Sequence, residues 1–356
     1  MRNLTEINIT LILSIFSLLS IGILVIFSSS RDLAVGQLIF AMVGSLIFFA
    51  VSGVDYRAFN NFIVPCYFFV LILLLIVMML DVQTRGSVRW IPIGGLNIQP
   101  SELAKPALIL VLASFWSKNT PTWRNICVSL LWTLPFALLI FKQPDLGSAL
   151  TIMAIWFGIL IASKISVKKF IFLILLFVLI IPAGWITLHD YQRQRVISFL
   201  VPENDPLGRG YNLIQSTISV GSGQIMGRGL GRGTQSRLQF LPEFRTDFIF
   251  ASIAEEMGFV GSVLILGLYI TLITQSVKVA GYARDYFGYL LIFGVVSMLL
   301  FQTVVNIGMN VGIMPITGIT LPLLSYGGSS LVTTLLSLGF VASVGRFRKR
   351  IDSEIN

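Results

Sequence analysis

A chain of 356 residues that is 55% hydrophobic and only 12% charged, with a mean hydropathy of +0.88, has too little polar surface to enclose a water-soluble core. Its two cysteines, Cys66 and Cys127, each sit inside an apolar run, which excludes a disulfide framework and a thiolate zinc site. The formal charge of +9 comes without a basic face interleaved with aromatics, so nucleic acid is not an expected partner.

Apolar windows of about 17 to 25 residues, the length that crosses a bilayer core, fall near 8–29, 34–53, 60–80, 102–117, 125–141, 147–163, 168–188, 247–275, 286–309 and 326–345. The expected fold is an all-α integral membrane protein of about ten transmembrane helices, one polytopic domain over 1–356. A large extracytoplasmic loop, 190–246, is expected between helices 7 and 8. The first window is too long for the apolar region of a signal peptide and no cleavage site follows, so it is expected to stay as a signal anchor. With the N-terminus in the cytoplasm, the inner segments carry thirteen Lys and Arg residues and the short outer loops only Arg31, Arg85, Arg89 and Lys142. That asymmetry satisfies the positive-inside rule and places both termini in the cytoplasm.

Four polar segments interrupt the apolar pattern, and the span count lets all of them share the outer side and form one cavity. The first, RGSVRWIPIGGLNIQPSELAK, contains Gly86, Pro92, Gly94, Gly95 and Pro100, which forbid a continuous helix and predict a loop dipping toward the membrane. It carries Arg89 as a cavity-lining candidate. Glu102 and Lys105 follow at i and i+3 on one helical face, either as a structural ion pair or as substrate contacts. The second segment, around Lys142 to Asp145, reads as a short turn or, through Asp145, as a cavity wall.

The third segment, about Asp190 to Asp247, holds seven arginines and no lysine, with six glycines between Gly221 and Gly233. Arginine's planar fork binds phosphate oxygens in pairs where lysine offers a point charge, so this loop reads as a site for an anionic, phosphate-bearing lipid. A flexible solvated loop is the plainer alternative. The glycine spacing matches neither nucleotide fingerprint. Arg193, Arg195, Arg209, Gln215, Ser216 and Arg245 are the substrate-binding candidates here, beside Glu102 and Lys105. Asp247, at the threshold of the next span, is either a general base or the cap of the following helix, with Arg245 as its expected counter-charge. Glu255 and Glu256 lie two turns further on and are candidate cavity liners. The fourth segment, MNVGIMPITGITLPLLSYGGSS, is uncharged and broken by Pro315, Gly318, Pro322, Gly327 and Gly328. Irregular backbone at membrane depth must line a cavity or pack within protein, which makes Ser325 a candidate liner.

In order from about residue 89 to 330, the stretches RW with QPSELAK, QPDLGS, HDYQRQRV, PENDPLGRGYNLIQS, GSGQIMGRG with GTQ, FLPE with TDFIF and AEEMGF, and LPLLSYGGSS resemble the SEDS family of bacterial cell-wall polymerases. HDYQRQRV and the short tails are closer to the elongation branch of that family than to its division branch. The resemblance implies a ten-span glycosyltransferase of the bacterial cytoplasmic membrane. It would polymerise lipid II into glycan strands on the outer face, alongside a class B penicillin-binding protein transpeptidase and the elongation machinery. It makes Asp247 the essential residue and Glu102 with Lys105 the polar pair of the central cavity. Relatives often carry GSGG and a lysine where this chain has Gln224 and Arg228, a departure that keeps the charge.

The chemistry so implied is attack of one saccharide's 4-hydroxyl on C1 of another, with undecaprenyl diphosphate leaving and the anomeric configuration inverting. Asp247 would take the hydroxyl proton while arginines and Lys105 stabilise the diphosphate. No cofactor is implied; a divalent cation on the diphosphate stays open, since no ligand cluster marks a site and the sole histidine is His189. A lipid II flippase or transporter, and a non-catalytic scaffold for the transpeptidase, are the competing readings.

Overall fold

The computed structural model describes residues 8–80, 89–93, 96–187, 190–206, 208, 210–238 and 240–347. Seven long helices come first: α1 (Ile9–Ser29), α2 (Arg31–Gly53), α3 (Ile63–Leu80), α4 (Pro100–Lys118), α5 (Trp123–Lys142), α6 (Leu146–Ala162) and α7 (Val167–Thr187). Three shorter ones follow, α8 (Asp190–Leu200), α9 (Tyr211–Ser222) and α10 (Thr234–Arg237), and then α11 (Ile249–Gly281), α12 (Tyr286–Asn310) and α13 (Gly328–Arg346). By length and composition α1, α2, α3 with the 3-10 turn before it, α5, α11, α12 and α13 can each cross a membrane, and α6 is a shorter apolar helix.

Local chemistry sets the helix starts. Asp145 Oδ1 accepts from Ser148 N at 3.0 Å to open α6, Asp285 Oδ1 from Gly288 N at 2.8 Å to open α12, and Pro100 occupies the first turn of α4. α4 is the central helix, packed against α3, α5, α6, α12 and α13 and buried along most of its length. A helix with no lipid-facing side can carry Glu102 and Lys105, because its polar groups meet protein and cavity instead of hydrocarbon.

Two of the polar segments carry local structure of their own. The segment before α4 forms a small antiparallel hairpin, Ile91–Ile93 against Leu96–Ile98 with Ile91 opposite Ile98, within an otherwise helical fold. Isoleucine-rich triplets favour the extended pairing. The segment 190–246 that joins α7 to α11 is itself partly helical: α8, α9, α10 and a 3-10 turn at Pro202–Asn204 occupy much of it, and α9 buries Leu213, Ser216 and Ser219 where it packs on α11 and α12.

The glycine run of that segment has a structural task. α11 is broken at Gly258 (φ 66°, ψ −162°). In an unbroken helix Phe259 N and Val260 N would reach the carbonyls of Glu255 and Glu256. Instead Phe259 N donates to Gln224 O (2.8 Å) and Val260 N to Ile225 O (3.1 Å). The freed carbonyls of Glu255 and Glu256 accept from Arg228 N (2.9 Å) and Gly229 N (3.0 Å). All four groups released by the break are thus re-paired, which irregular backbone among membrane helices requires. Glycine is needed for so close an approach: a Cβ on Gly223 would fall 1.8 Å from Ala254 O, and one on Gly227 2.2 Å from Glu256 O.

Candidate active site

A cavity of about 370 Å³ lies where the four interrupted segments meet. The first segment contributes Arg89, Trp90, Asn97 and Gln99, with Glu102 and Lys105 behind them; the second contributes Asp145, followed by Ser148 and Thr151 of α6. Arg195, Glu243, Thr246 and Asp247 come from the third, and Thr317 to Thr320, Tyr326, Gly327, Gly328 and Ser330 from the fourth.

Asp247 does not cap α11. The cap position is Phe248, which makes no side-chain capping bond, and the Asp247 carboxylate turns to the cavity. A Cβ built on Gly318, whose φ is +74°, would lie 3.5 Å from Asp247 Oδ2 and 3.9 Å from Arg195 Nη1. Carboxylate and guanidinium therefore converge over a bare Cα that leaves room for a substrate group. Asp247 keeps part of its surface open to the cavity but is ringed by protein. Burial pushes its carboxyl up to about 6, Glu243 and Asp145 add to the rise, and Arg195 and Arg89 oppose it. A carboxylate tuned there is ionised at neutral pH yet basic enough to take a proton. Arg245 is not the expected counter-charge: its Nε donates to Ser29 Oγ at 2.9 Å and its guanidinium lies over the Phe244 ring.

Asp145 serves both readings at once, capping α6 through Oδ1 while Oδ2 accepts from Gln99 Nε2 at 3.2 Å and faces Arg89 Nη1 at 4.0 Å. Arg89 also donates from Nε to Gln143 O at 2.9 Å and from Nη2 to Pro144 O. Lys105 Nζ pairs with Glu102 Oε1 at 2.6 Å, and Glu102 Oε2 accepts from Thr333 Oγ1 at 3.4 Å. This buried pair is an ion pair and a cavity wall together.

The remaining described candidates lie off the cavity wall. Arg193 and Gln215 are partly buried elsewhere, Ser216 Oγ donates to Asn310 O at 2.9 Å, and Arg209 falls outside the described residues. Glu255 Oε1 accepts from Gln235 N (2.9 Å) and Thr234 Oγ1 (3.2 Å), while Glu256 accepts from Ser28 Oγ (2.9 Å for Oε2). Glu255 thus holds the turn that follows the glycine run and Glu256 bonds the end of α1, and neither is on the cavity wall. Ser325 Oγ donates to Thr246 O at 2.6 Å and accepts from Leu321 N at 2.8 Å, so it fastens the fourth segment to the strand of chain before Asp247. Sequence reasoning took the fourth segment as cavity wall, which Thr317 to Thr320 are, but did not single out Phe40, Gln99 or Thr151, nor Gln37, whose buried amide bonds Ser325 O and Gly327 N. A buried glutamine among the apolar residues of α2 was the available signal. Among the described residues no group of three or more His, Cys, Asp or Glu side chains gathers to hold a metal ion.

The family model described as a cell cycle protein, covering FtsW, RodA and SpoVE, matches residues 3–350. The chain belongs to the FtsW/RodA/SpoVE family. Within that family, the peptidoglycan glycosyltransferase MrdB of Escherichia coli K12 is 38% identical over 97% of this chain and 95% of its own length. RodA of Treponema pallidum is 33% identical, covering 96% of this chain and 98% of its own, and stage V sporulation protein E of Bacillus subtilis 36%, covering 97% and 98%. Among solved structures, a chain described in work on the coordination of polymerization and crosslinking by a peptidoglycan synthase complex superposes with a TM-score of 0.84 at 32% identity. It covers 96% of this chain and 99% of that one. RodA of Thermus thermophilus superposes at 0.73 and 29%, covering 97% and 98%. Family membership and the long apolar helices together make this a multi-pass membrane protein.

Proposed function

We propose that this chain is a peptidoglycan glycosyltransferase that polymerises lipid II, using Asp247 as general base. The observation that carries the reading is the Asp247 carboxylate facing Arg195 over Gly318 in the cavity where all four interrupted segments meet. Relatives named peptidoglycan glycosyltransferase at 38% and 33% identity over nearly the whole chain support the reaction class.

In this reaction the 4-hydroxyl oxygen of one saccharide attacks C1 of the other, its proton passes to an Asp247 carboxylate oxygen, and the C1–O bond to undecaprenyl diphosphate breaks with its electron pair leaving on the diphosphate. One displacement at C1 inverts the anomeric centre. Arg195 faces Asp247 over Gly318, and Arg89 and Lys105 on the same wall supply further positive charge for the leaving group. We assign ten spans, cytoplasmic termini and a cavity open to the outer face of the bacterial cytoplasmic membrane. The positive-inside asymmetry supports this topology. A class B penicillin-binding protein is the proposed partner and cell elongation the proposed setting; the likeness to a chain of a peptidoglycan synthase complex supports the former.

The test is glycan polymerisation from purified lipid II by wild type and Asp247→Asn, with the transpeptidase partner present and the fold of both checked. Polymer from wild type alone is the expected outcome, and equal polymer from both removes the proposed base. No polymer from either, with lipid II translocation intact, turns the assignment to transport.

A further inference from the structure

Asn306 and Asn310 sit one turn apart on α12, and both are completely buried. A buried amide among apolar helices is costly unless its donors and acceptor are satisfied, so what these two bond shows what they are for. Asn306 Nδ2 donates to Asp247 O at 2.9 Å and to Ile319 O at 2.7 Å. Asn310 Nδ2 donates to Asp247 O at 3.0 Å, and Asn310 Oδ1 accepts from Ala251 N at 3.0 Å.

That last pair of bonds has a specific geometric effect. Were α11 to begin one residue earlier, Asp247 O would accept from Ala251 N as the next i to i+4 rung. Asn310 takes both halves of that rung, the carbonyl with its amide nitrogen and the N–H with its amide oxygen. The first rung that forms is Ser252 N to Phe248 O at 3.2 Å. Asp247 is thereby held just outside the helix. α11 has no side-chain cap of its own, so this capping contact is supplied by another helix. Asn306 meanwhile ties the same Asp247 carbonyl to Ile319, the residue after Gly318. Base and slot are thus fixed to each other through one side chain.

We infer that Asn306 and Asn310 are positioning residues that keep Asp247 off the end of α11 and in register with Gly318, so that its carboxylate faces the reacting hydroxyl. The inference rests on the proposed role of Asp247 and goes beyond it, because neither asparagine lines the cavity. Substrate binding should be indifferent to them and the chemical step should not.

The experiment measures polymerisation rate, KM for lipid II and thermal stability of the full chain with its transpeptidase partner for Asn306→Ala, Asn306→Leu and Asn310→Ala, with Asp247→Asn and Gln302→Leu alongside. Leucine is nearly isosteric with asparagine and suits an apolar helix, so Asn306→Leu separates lost positioning from lost folding. Asn310→Ala removes one of the two bonds to Asp247 O and carries the test if the Asn306 variants do not fold. Gln302, buried on the same face of α12 one turn away, is not among the hydrogen-bond partners of Asp247 O and serves as the control. Expected is a fall in kcat of about 10²-fold for the asparagine variants, the cost of displacing a reacting group by about 1 Å. KM should stay within about twofold and Gln302→Leu should run at the wild-type rate per folded molecule. Wild-type kcat in a folded asparagine variant overturns the inference, as does a rise in KM at constant kcat or an equal fall in Gln302→Leu. Full activity of Asp247→Asn sinks the proposed function itself, and is told apart because it leaves the chemistry without the base that the asparagines would position.

Discussion

Two glycine-rich interruptions of this bundle look alike on paper and end in different places. The run from 221 to 233 carries arginines and reads as an anion cradle, yet its backbone completes the broken ladder of α11, and Arg228 and Arg232 are exposed. The segment from 311 to 327 carries no charge and reads as mere wall, yet it supplies the bare Cα over which Asp247 and Arg195 converge. Glycine in the first excludes a Cβ that would strike backbone; in the second it opens a slot. Glycine content says that something approaches closely, and only the partner decides whether that is a helix or a substrate.

The largest effect expected is at the proposed base: Asp247→Asn should lower polymerisation by about 10²- to 10⁴-fold, the range for losing a general base, read in the lipid II assay with folding unchanged. Next come the two glycines. Gly227→Ala puts a Cβ 2.2 Å from the Glu256 carbonyl at a φ of +79°, so it should lower the melting temperature and folded yield while folded molecules keep their rate. Gly318→Ala meets nothing closer than 3.5 Å and bears only backbone strain of about 1–3 kcal/mol; it should lower the rate more than the stability. If both alanines act the same way, the contrast between the two segments fails.

The pH profile sharpens the same contrast. With the Asp247 carboxyl near 6, the rate should fall as pH drops through about 6, because the base is then protonated. The sign for stability is opposite. A carboxyl raised from 3.8 to about 6 by folding binds a proton that the unfolded chain releases, so this group stabilises the fold progressively as pH falls through that window. Rate loss on this limb without any fall in melting temperature is the expected signature, and parallel loss of both would assign it to unfolding instead. The smallest effect belongs to Arg228→Lys. Its guanidinium donates to Ser222 O and Thr234 Oγ1 at an exposed position, and the rate should stay within about twofold of wild type, in line with surface substitutions of about ±0.5 kcal/mol.

The site was legible in the sequence wherever a residue was out of place for its surroundings. Glu102, Lys105, Asp145 and Asp247 were singled out as ionisable groups at the edges of apolar runs, and all four line the cavity. Arg245 was misjudged because proximity along the chain stood in for proximity in space: it turns to Ser29 while Arg195, more than fifty positions away, converges with Asp247 over Gly318. Glu255 and Glu256 carried the right signal, a charge inside a span, but their partners, the 234–235 turn for Glu255 and Ser28 of α1 for Glu256, appear only once the helices are packed.

Composition and the spacing of apolar runs determined by themselves that the chain crosses a membrane repeatedly in helices, since no other secondary structure of this length satisfies its own backbone in hydrocarbon without closing into a barrel. The tertiary structure alone decided which polar groups face one another. Membrane helices carry few charges to declare their neighbours, and the contacts that set the site are amide to carbonyl: Gln37 to Ser325, Asn306 to Asp247 and Ile319, Asn310 to Asp247 and Ala251. Such bonds join residues tens to hundreds of positions apart, and nothing in the local pattern of either partner names the other.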